Sequence, residues 1–338
     1  MTALDQTRTE QRDARRAERL AAATALLQAP PPLDRLAVRQ VTVLGGEVVH
    51  ASRSRPVVRW HLSVDRGPDG AEPLTVIGKA FLRGGGEDAG RLLADLRAAG
   101  FDGPTSGVPR PLGWDPDRQL LAQEEAPAET LHALLVDGAL GTAEPARRVG
   151  TWLARLHAVR TLHLPSLPAD FETHALERYG VALEAELPEL AGRIGALRSA
   201  TGRALSAVRL PHVPTHGDFQ PKNVHLDDRR VVVIDFDRAA AAPGARDLGH
   251  FVGQTRTMVA AHHGSPALAD TWVGAFLDGY LDEGGSPDAV SAAGPYVART
   301  YAEVLYYRLV VRPVGRTDFV PGWLDAWERC LDGGGAAL

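Results

Sequence analysis

The densest polar stretch of the chain is His216-Gly217-Asp218-Phe219-Gln220-Pro221-Lys222-Asn223, followed by Val-His-Leu, the turn Asp227-Asp228-Arg229-Arg230, an apolar Val-Val-Val-Ile run and Asp235. Two short apolar runs around a polar four-residue turn spell a β-hairpin, which returns the chain to the end where it began. Asn223 lies just before the first run and Asp235 just after the second, so both should face one side, with Asp218 presented by the preceding loop. Three oxygen-bearing side chains converging in this way suit Mg²⁺, which takes oxygen ligands and keeps phosphate and water in its shell.

Rare residues point to the same segment. The chain has 35 arginines but two lysines, Lys79 and Lys222, and a single asparagine, Asn223. Such skew fits GC-rich coding, in which Arg replaces Lys wherever a generic positive charge is enough. Positions that keep Lys or Asn are therefore candidates for specific chemistry rather than leftovers. Lys222 and Asn223 are adjacent inside the polar motif, and Lys79 lies in the apolar run Val-Ile-Gly-Lys-Ala-Phe.

The elements that must position these residues fall into two blocks. Residues 5–28 read as an Ala/Arg/Glu-rich helix stopped by Pro30, Pro31 and Pro32. Between Val38 and Leu82 three β-type runs, separated by Ser/Arg/Pro and Gly/Pro/Asp chemistry, predict an antiparallel meander. Residues 86–100 place Leu92, Leu93 and Leu96 on one helical face with Gly100 as the stop. Two more short strands end at a polar connector near residues 123–128. Beyond it the pattern is helical, interrupted by the hairpin segment. The predicted organisation is a helical extension over 1–36, a β-rich lobe over 37–126 and a mainly helical lobe over 127–338.

Composition excludes several classes. A length of 338 residues with 44% hydrophobic side chains supports folded domains rather than disorder. The net charge of −5 argues against a polyanion binder, so neither nucleic acid nor an anionic membrane is an expected partner. Lone Cys330 can form neither an internal disulfide nor a multi-cysteine metal site, which fits a reducing compartment. No run approaches the roughly 18 apolar residues of a membrane span, and a cytoplasmic location is expected.

The pattern H-x-D-x-x-x-x-N followed by a hydrophobic strand and Ile-Asp-Phe resembles the catalytic-loop and metal-loop signature of the protein-kinase-like fold. In the form HGDFQPKN and IDFD it is similar to the aminoglycoside phosphotransferase and choline kinase branch, which phosphorylates small molecules. The resemblance implies an α+β bilobal fold with a small β-rich N-lobe and a larger helical C-lobe. It further implies an ATP-dependent transfer, with GTP as an open alternative, to a small-molecule hydroxyl. Asp218 would orient the acceptor hydroxyl and accept its proton, and Asn223 and Asp235 would hold Mg²⁺. Lys79 would pair with the nucleotide phosphates, with Glu87 or Asp88 as its carboxylate partner, the other reading of both being helix-dipole carboxylates at an N-terminus. Gln123, Glu124 and Glu125 would belong to the hinge beside the adenine. Lys222 could neutralise the transferring group or be an exposed loop lysine. His216 would brace the loop by hydrogen bonding, as would Asp247 in Gly-Ala-Arg-Asp-Leu-Gly-His-Phe, whose other reading is a carboxylate at a helix N-terminus.

Departures from the protein-kinase pattern are equally informative. No G-x-G-x-x-G lies between the first two strands, the metal loop reads D-F-D, and no activation segment with an A-P-E ending follows. The last feature argues against a protein substrate. Residues 265–338 hold ten acidic and five basic side chains, an excess equal to the net charge of the whole chain. An acidic acceptor wall would favour a cationic aminoglycoside or amino alcohol; a solvated surface carrying Asp278, Asp282 and Glu283 is the other reading. Tyr296, Tyr301, Tyr306, Tyr307, Trp323 and Trp327 could form an aromatic cage for an amine, but at helical spacing they read better as core. A neutral sugar or amino-acid kinase and a non-catalytic pseudokinase are the alternatives on the same fold.

Overall fold

The computed structural model describes residues 3–67, 70–137 and 141–332. The chain divides into two compact units, Met1–Ala126 and Pro127–Leu338.

The first unit opens with α1 (Ala3–Ala25), followed by β1 (Gln40–His50), β2 (Val57–Asp65), β3 (Ala71–Ala80), α2 (Gly86–Leu96), β4 (Ser106–Gly107), β5 (Pro111–Asp115) and β6 (Leu120–Glu124). Five of the strands form an antiparallel sheet in the order β1-β2-β3-β6-β5. Alternation along β2 explains its core: Val58, Trp60, Leu62 and Val64 point to one face and are buried. Val76 and Ala80 of β3, with Leu112, Leu120 and Ala122, complete that cluster, and Leu26, Leu27, Leu33 and Leu36 of the N-terminal extension cover part of it. Gly78 is required by its neighbour: a Cβ there would approach the Trp60 ring to 2.2 Å. Lys79 follows on the opposite face, in register with Val57 and Leu121.

Helix α2 is shorter than its sequence pattern. It ends at Leu96 and passes into a wider turn over Arg97–Phe101, in which Gly100 takes φ 102°. Leu93 and Leu96 are buried, whereas Leu92 is only half-buried.

The second unit contains β7 (Glu129–Thr130), α3 (Leu131–Val136), α4 (Glu144–Ala158), α5 (Phe171–Glu186), α6 (Ala191–Ala207), β8 (His212–Thr215), β9 (Val224–Leu226), β10 (Val231–Val233), β11 (Ala240–Pro243), α7 (Ala245–His263), α8 (Asp270–Asp282), α9 (Pro287–Ser291), α10 (Gly294–Tyr306) and α11 (Val320–Asp332). The β9–β10 hairpin forms where the two apolar runs predict it, with Val224 opposite Val233 and Leu226 opposite Val231. A second antiparallel pair, β8 with β11, brackets it in sequence. The long helices supply the core through Trp152, Trp272, Trp327, Tyr280, Tyr301, Phe251 and Phe276. No described helix is long and apolar enough to cross a membrane.

The aromatic residues of the last segment divide by burial. Tyr296, Tyr301, Trp323 and Trp327 are core, with Tyr301 edge-on to Trp323, while Tyr307 is exposed. That is packing rather than a cage. The acidic residues are surface groups as well: Asp278 and Asp282 pair with Arg147, and Glu283 pairs with Arg155 at 2.8 Å. They face the arginines of α4.

Candidate functional site

The catalytic-loop candidate, residues 216–223, leaves β8 and leads into β9. Gly217 adopts φ 83°, and a Cβ on it would meet the Arg238 carbonyl at 2.1 Å, so this turn needs glycine. Phe219 anchors the loop from below. Its fully buried ring stacks on Trp152 at 5.8 Å and meets Phe251 at 5.4 Å.

Backbone donors of the loop are met by Asp247, in the first turn of α7. One carboxylate oxygen accepts the His216 N–H at 2.7 Å and the other accepts the Gly217 N–H at 2.9 Å. His157 donates from Nε2 to the same carboxylate at 3.4 Å, with its Nδ1 3.0 Å from the Tyr280 hydroxyl. Burial of Asp247 opposes ionisation, but the hydrogen bond and charge of His157, with Arg246, lower its pKa to about 2. The His216 tautomer follows from its partners. Its Nδ1 receives the Asp218 N–H at 3.2 Å, so Nε2 carries the proton and donates to the Ile234 carbonyl at 2.9 Å. His216 thereby ties the loop to the residue just before Asp235.

The hairpin brings its two ends together. Asn223 closes a single 3₁₀ turn, Pro221–Asn223, and its carbonyl accepts the Ile234 N–H at 3.0 Å. Asp235 comes next and is exposed, with φ 71°, a conformation otherwise adopted by a single non-glycine residue among those described, Gln119. Left-handed Asp is tolerated because its short side chain bonds locally, and such backbones concentrate at functional sites. Asn223 donates from Nδ2 to the Asp218 carbonyl at 2.9 Å and lies 3.4 Å from Asp218 Oδ2. Its own Oδ1 is thus turned away from Asp218. Lys222 is exposed beside them and lowers the pKa of His132, acting after burial, the larger cause.

Asp218 is half-buried and heavily bonded. Oδ1 accepts from Gln220 Nε2 at 3.0 Å and from His250 Nε2 at 3.1 Å. Burial again opposes charge, but His250 and Arg238 outweigh it and hold the carboxyl well below the usual carboxylate range.

Behind His250 runs a chain of buried charges that the sequence reading did not assign. His250 Nδ1 lies 3.7 Å from Glu303 Oε2, Glu303 pairs with Arg299, and Arg299 pairs with Glu172 at 2.7 Å. Arg246 closes the chain on the other Glu172 oxygen at 2.6 Å. Burial works against ionisation of Glu172 and Glu303, yet the arginines keep both pKa values lowered. His250 had a local signal, since it follows Asp247 by three residues on a helix and must share its face. Arg299 and Glu303 had the i,i+4 spacing. Glu172 had none, because it is supplied by a separate helix.

In the first unit, Lys79 Nζ lies 5.3 Å from the centre of the Phe81 ring, on the sheet face opposite Val76 and Ala80. Glu87 and Asp88 are exposed in the first turn of α2, and Asp88 pairs with Arg91. Gln123 and Glu124 close β6 opposite Ile77 and Val76. The Glu125 side chain is held by Arg59 at 2.6 Å.

No curated protein sequence matches the chain. The model of the phosphotransferase enzyme family, APH, matches residues 81–293. Among solved structures, spectinomycin phosphotransferase in complex with ADP and spectinomycin superposes with a TM-score of 0.55 at 12% identity, over 87% of this chain and 92% of that one. A thermostable mutant of aminoglycoside phosphotransferase APH(4)-Ia, in a ternary complex with AMP-PNP and hygromycin B, gives 0.59 at 15% identity over 86% and 96%. A choline/ethanolamine kinase family protein from Mesorhizobium loti gives 0.50 at 15% over 87% of each chain. The fold is therefore the α+β, protein-kinase-like one, and the chain belongs to the APH phosphotransferase enzyme family.

Proposed function

We propose that the protein transfers the γ-phosphoryl group of ATP to a hydroxyl of a small molecule. The observation that carries this reading is the grouping of Asp218 and Asn223 by direct hydrogen bonding, at the open end of a hairpin whose other strand leads into Asp235.

Asp218 orients the acceptor hydroxyl and takes its proton onto a carboxylate oxygen as the O–P bond forms. A carboxylate held in its charged form is always ready to accept, and its weak basicity suits a loose transition state in which proton transfer comes late. The donor set fits Mg²⁺. Asn223 spends its amide nitrogen on Asp218, leaving Oδ1 for a cation, and Asp235 adds an exposed carboxylate. No three His, Cys, Asp or Glu side chains gather into a metal-holding group among the described residues, so phosphate oxygens and water would complete the shell. When bound, Mg²⁺ neutralises charge on the phosphates.

Lys79 pairs with those phosphates in this reading. Glu87 or Asp88 would supply its carboxylate partner, and Asp88 also pairs with Arg91. Lys222 contributes positive field at the loop, and Gln123–Glu125 supply backbone groups for the base. His216 and Asp247 hold the loop.

The acceptor is a small hydroxyl compound. The relatives bound to spectinomycin and hygromycin B favour an aminoglycoside-like or amino-alcohol acceptor. With Asp278, Asp282 and Glu283 paired to arginines, charge no longer separates that class from a neutral sugar or amino acid. Retention of Lys79, Asp218, Asn223 and Asp235 together speaks against a pseudokinase. The deciding experiment is coupled ADP release with ATP and Mg²⁺ against aminoglycosides, amino alcohols, sugars and macrolides. Asp218→Ala should lower kcat by roughly 10²–10⁴-fold; undiminished turnover in that variant would defeat the assignment.

A further inference from the structure

We propose that His250 is a positioning residue for Asp218: with Gln220 it occupies Oδ1, so that Oδ2 is the oxygen presented to the acceptor hydroxyl. The inference rests on the function proposed above and deepens it.

The two oxygens of Asp218 have unequal surroundings. Oδ1 receives two donors, at 3.0 and 3.1 Å, whereas the contact to Oδ2 is the longer Asn223 one at 3.4 Å. A carboxylate free to rotate about its last bond would offer either oxygen in many directions. Two donors on one oxygen fix that rotation and leave the second oxygen a defined direction.

His250 can do this because it is itself fixed. Its side chain is 8% exposed and sits one turn beyond Asp247 on α7. One helix therefore grips the loop twice, at the backbone through Asp247 and at the working carboxylate through His250. On the far side of the ring, Nδ1 faces Thr300 Oγ1 at 3.4 Å and Glu303 Oε2 at 3.7 Å, both from α10. Thr300 spends its hydroxyl proton on the Tyr296 carbonyl at 2.9 Å, so it meets the ring as an acceptor. Asp218 and Thr300 both meet the imidazole as acceptors, so Nε2 donates to Asp218 Oδ1. Glu303 is anchored in turn by Arg299 and by the Tyr179 hydroxyl at 3.3 Å. The buried charges thus terminate on the catalytic carboxylate, and their role is to hold one ring in place.

The test uses the full-length protein and ADP release from ATP and Mg²⁺, measured both without acceptor and with any acceptor that is turned over. Misplacing a reacting group by about an ångström costs on the order of 10²-fold. His250→Ala should therefore lower kcat by roughly 10- to 100-fold while KM for ATP stays within about twofold. His250→Gln, whose amide nitrogen reaches the place of Nε2, should recover much of the loss. His250→Asn, whose amide stops near the place of Nδ1, should not. Should His250→Ala fail to fold, the Gln and Asn pair decides the question. In an Asp218→Asn background, His250→Ala should cause little further loss. Unchanged kcat in His250→Ala, equal rates for Gln and Asn, or equal losses in both backgrounds would overturn the positioning role. Those results beside an inactive Asp218→Ala would leave the proposed function standing, whereas a wild-type protein without turnover would sink both.

Discussion

Asp247 accepts the backbone N–H of His216 at 2.7 Å from a side chain that is fully buried. The catalytic-loop candidate is thus held by a charge inside the protein, not by a turn on its surface. Gly217 adds a second N–H to the same carboxylate, and His157 and Arg246 balance its charge. Removing the carboxylate would leave two buried donors and a histidine without their acceptor.

Asp247→Ala should destabilise the protein by about 3–5 kcal/mol, the cost of breaking a buried, paired charge. Its pH dependence has a definite sign. The folded-state pKa, about 2, lies below the unfolded value, which is about 3.9. The stability gained from ionisation is therefore fully present above pH ~4 and is lost as pH falls towards 2. Urea midpoints of wild type and Asp247→Asn, followed from pH 6 to pH 2.5, should converge at the acidic end. A gap that stays constant would show that the charge of Asp247 contributes nothing.

Helices α4 and α8 are packed through glycines, and this gives a prediction independent of activity. A Cβ at Gly150 would lie 1.9 Å from the Phe276 carbonyl, and one at Gly279 would lie 2.0 Å from the Arg147 carbonyl. Both obstacles are backbone and cannot swing aside. Gly150→Ala and Gly279→Ala should each cost about 1–3 kcal/mol or more, despite the roughly 1 kcal/mol that alanine adds to helix propensity. Gly274, on α8 with no atom within 4 Å of its Cβ position, is the control. Gly274→Ala should be neutral or stabilising by up to about 1 kcal/mol. Chemical denaturation of the three variants checks the contrast.

What was legible in the sequence is what short-range chemistry specifies. The hairpin followed from two apolar runs and a polar turn, and with it the return of the chain from Asn223 to the residue before Asp235. The meander around Lys79 followed from alternation. Spacing along α7 and α10 carried His250 and the Arg299–Glu303 pair, but their joining to each other and to Glu172 stayed hidden, because it links α5, α7 and α10, more than fifty residues apart. No local pattern encodes which helix crosses which. The acidic excess of the last segment is a case of the same kind: composition reports charge but not the arginines of α4, α6 and α7 that pair with Asp278, Asp282, Glu283, Asp325, Glu328 and Asp270. Tyr301 and Trp327 could be read as core from helical spacing, since that spacing is local.

Lys79 tests the first unit. It is half-buried on the face away from Trp60, outside the Val58, Trp60, Leu62 and Val64 cluster. Lys79→Ala should leave the melting temperature nearly unchanged. With the loss of one charged hydrogen-bonding contact, about 1.5–3 kcal/mol, kcat/KM for ATP should fall roughly ten- to hundredfold. Lys79→Arg should not restore it, because a planar fork does not replace a compact ammonium on this strand. An unchanged kcat/KM for Lys79→Ala would remove Lys79 from the phosphate site.

Cys330 offers a probe of the last helix. Its thiol is 3% exposed, donates to the Ala326 carbonyl at 3.1 Å, and is pushed up to about 11 by burial. The thiolate is the reactive form, so at pH 8 the native protein should resist Ellman's reagent while the urea-unfolded chain releases one equivalent at once. Any slow labelling of the native protein then reports local opening of α11, and its rate relative to the unfolded chain measures the free energy of that opening. If Trp323 and Trp327 hold the helix as their burial implies, labelling should follow the same urea dependence as global unfolding. Fast labelling without denaturant would instead mean that α11 detaches from the core on its own.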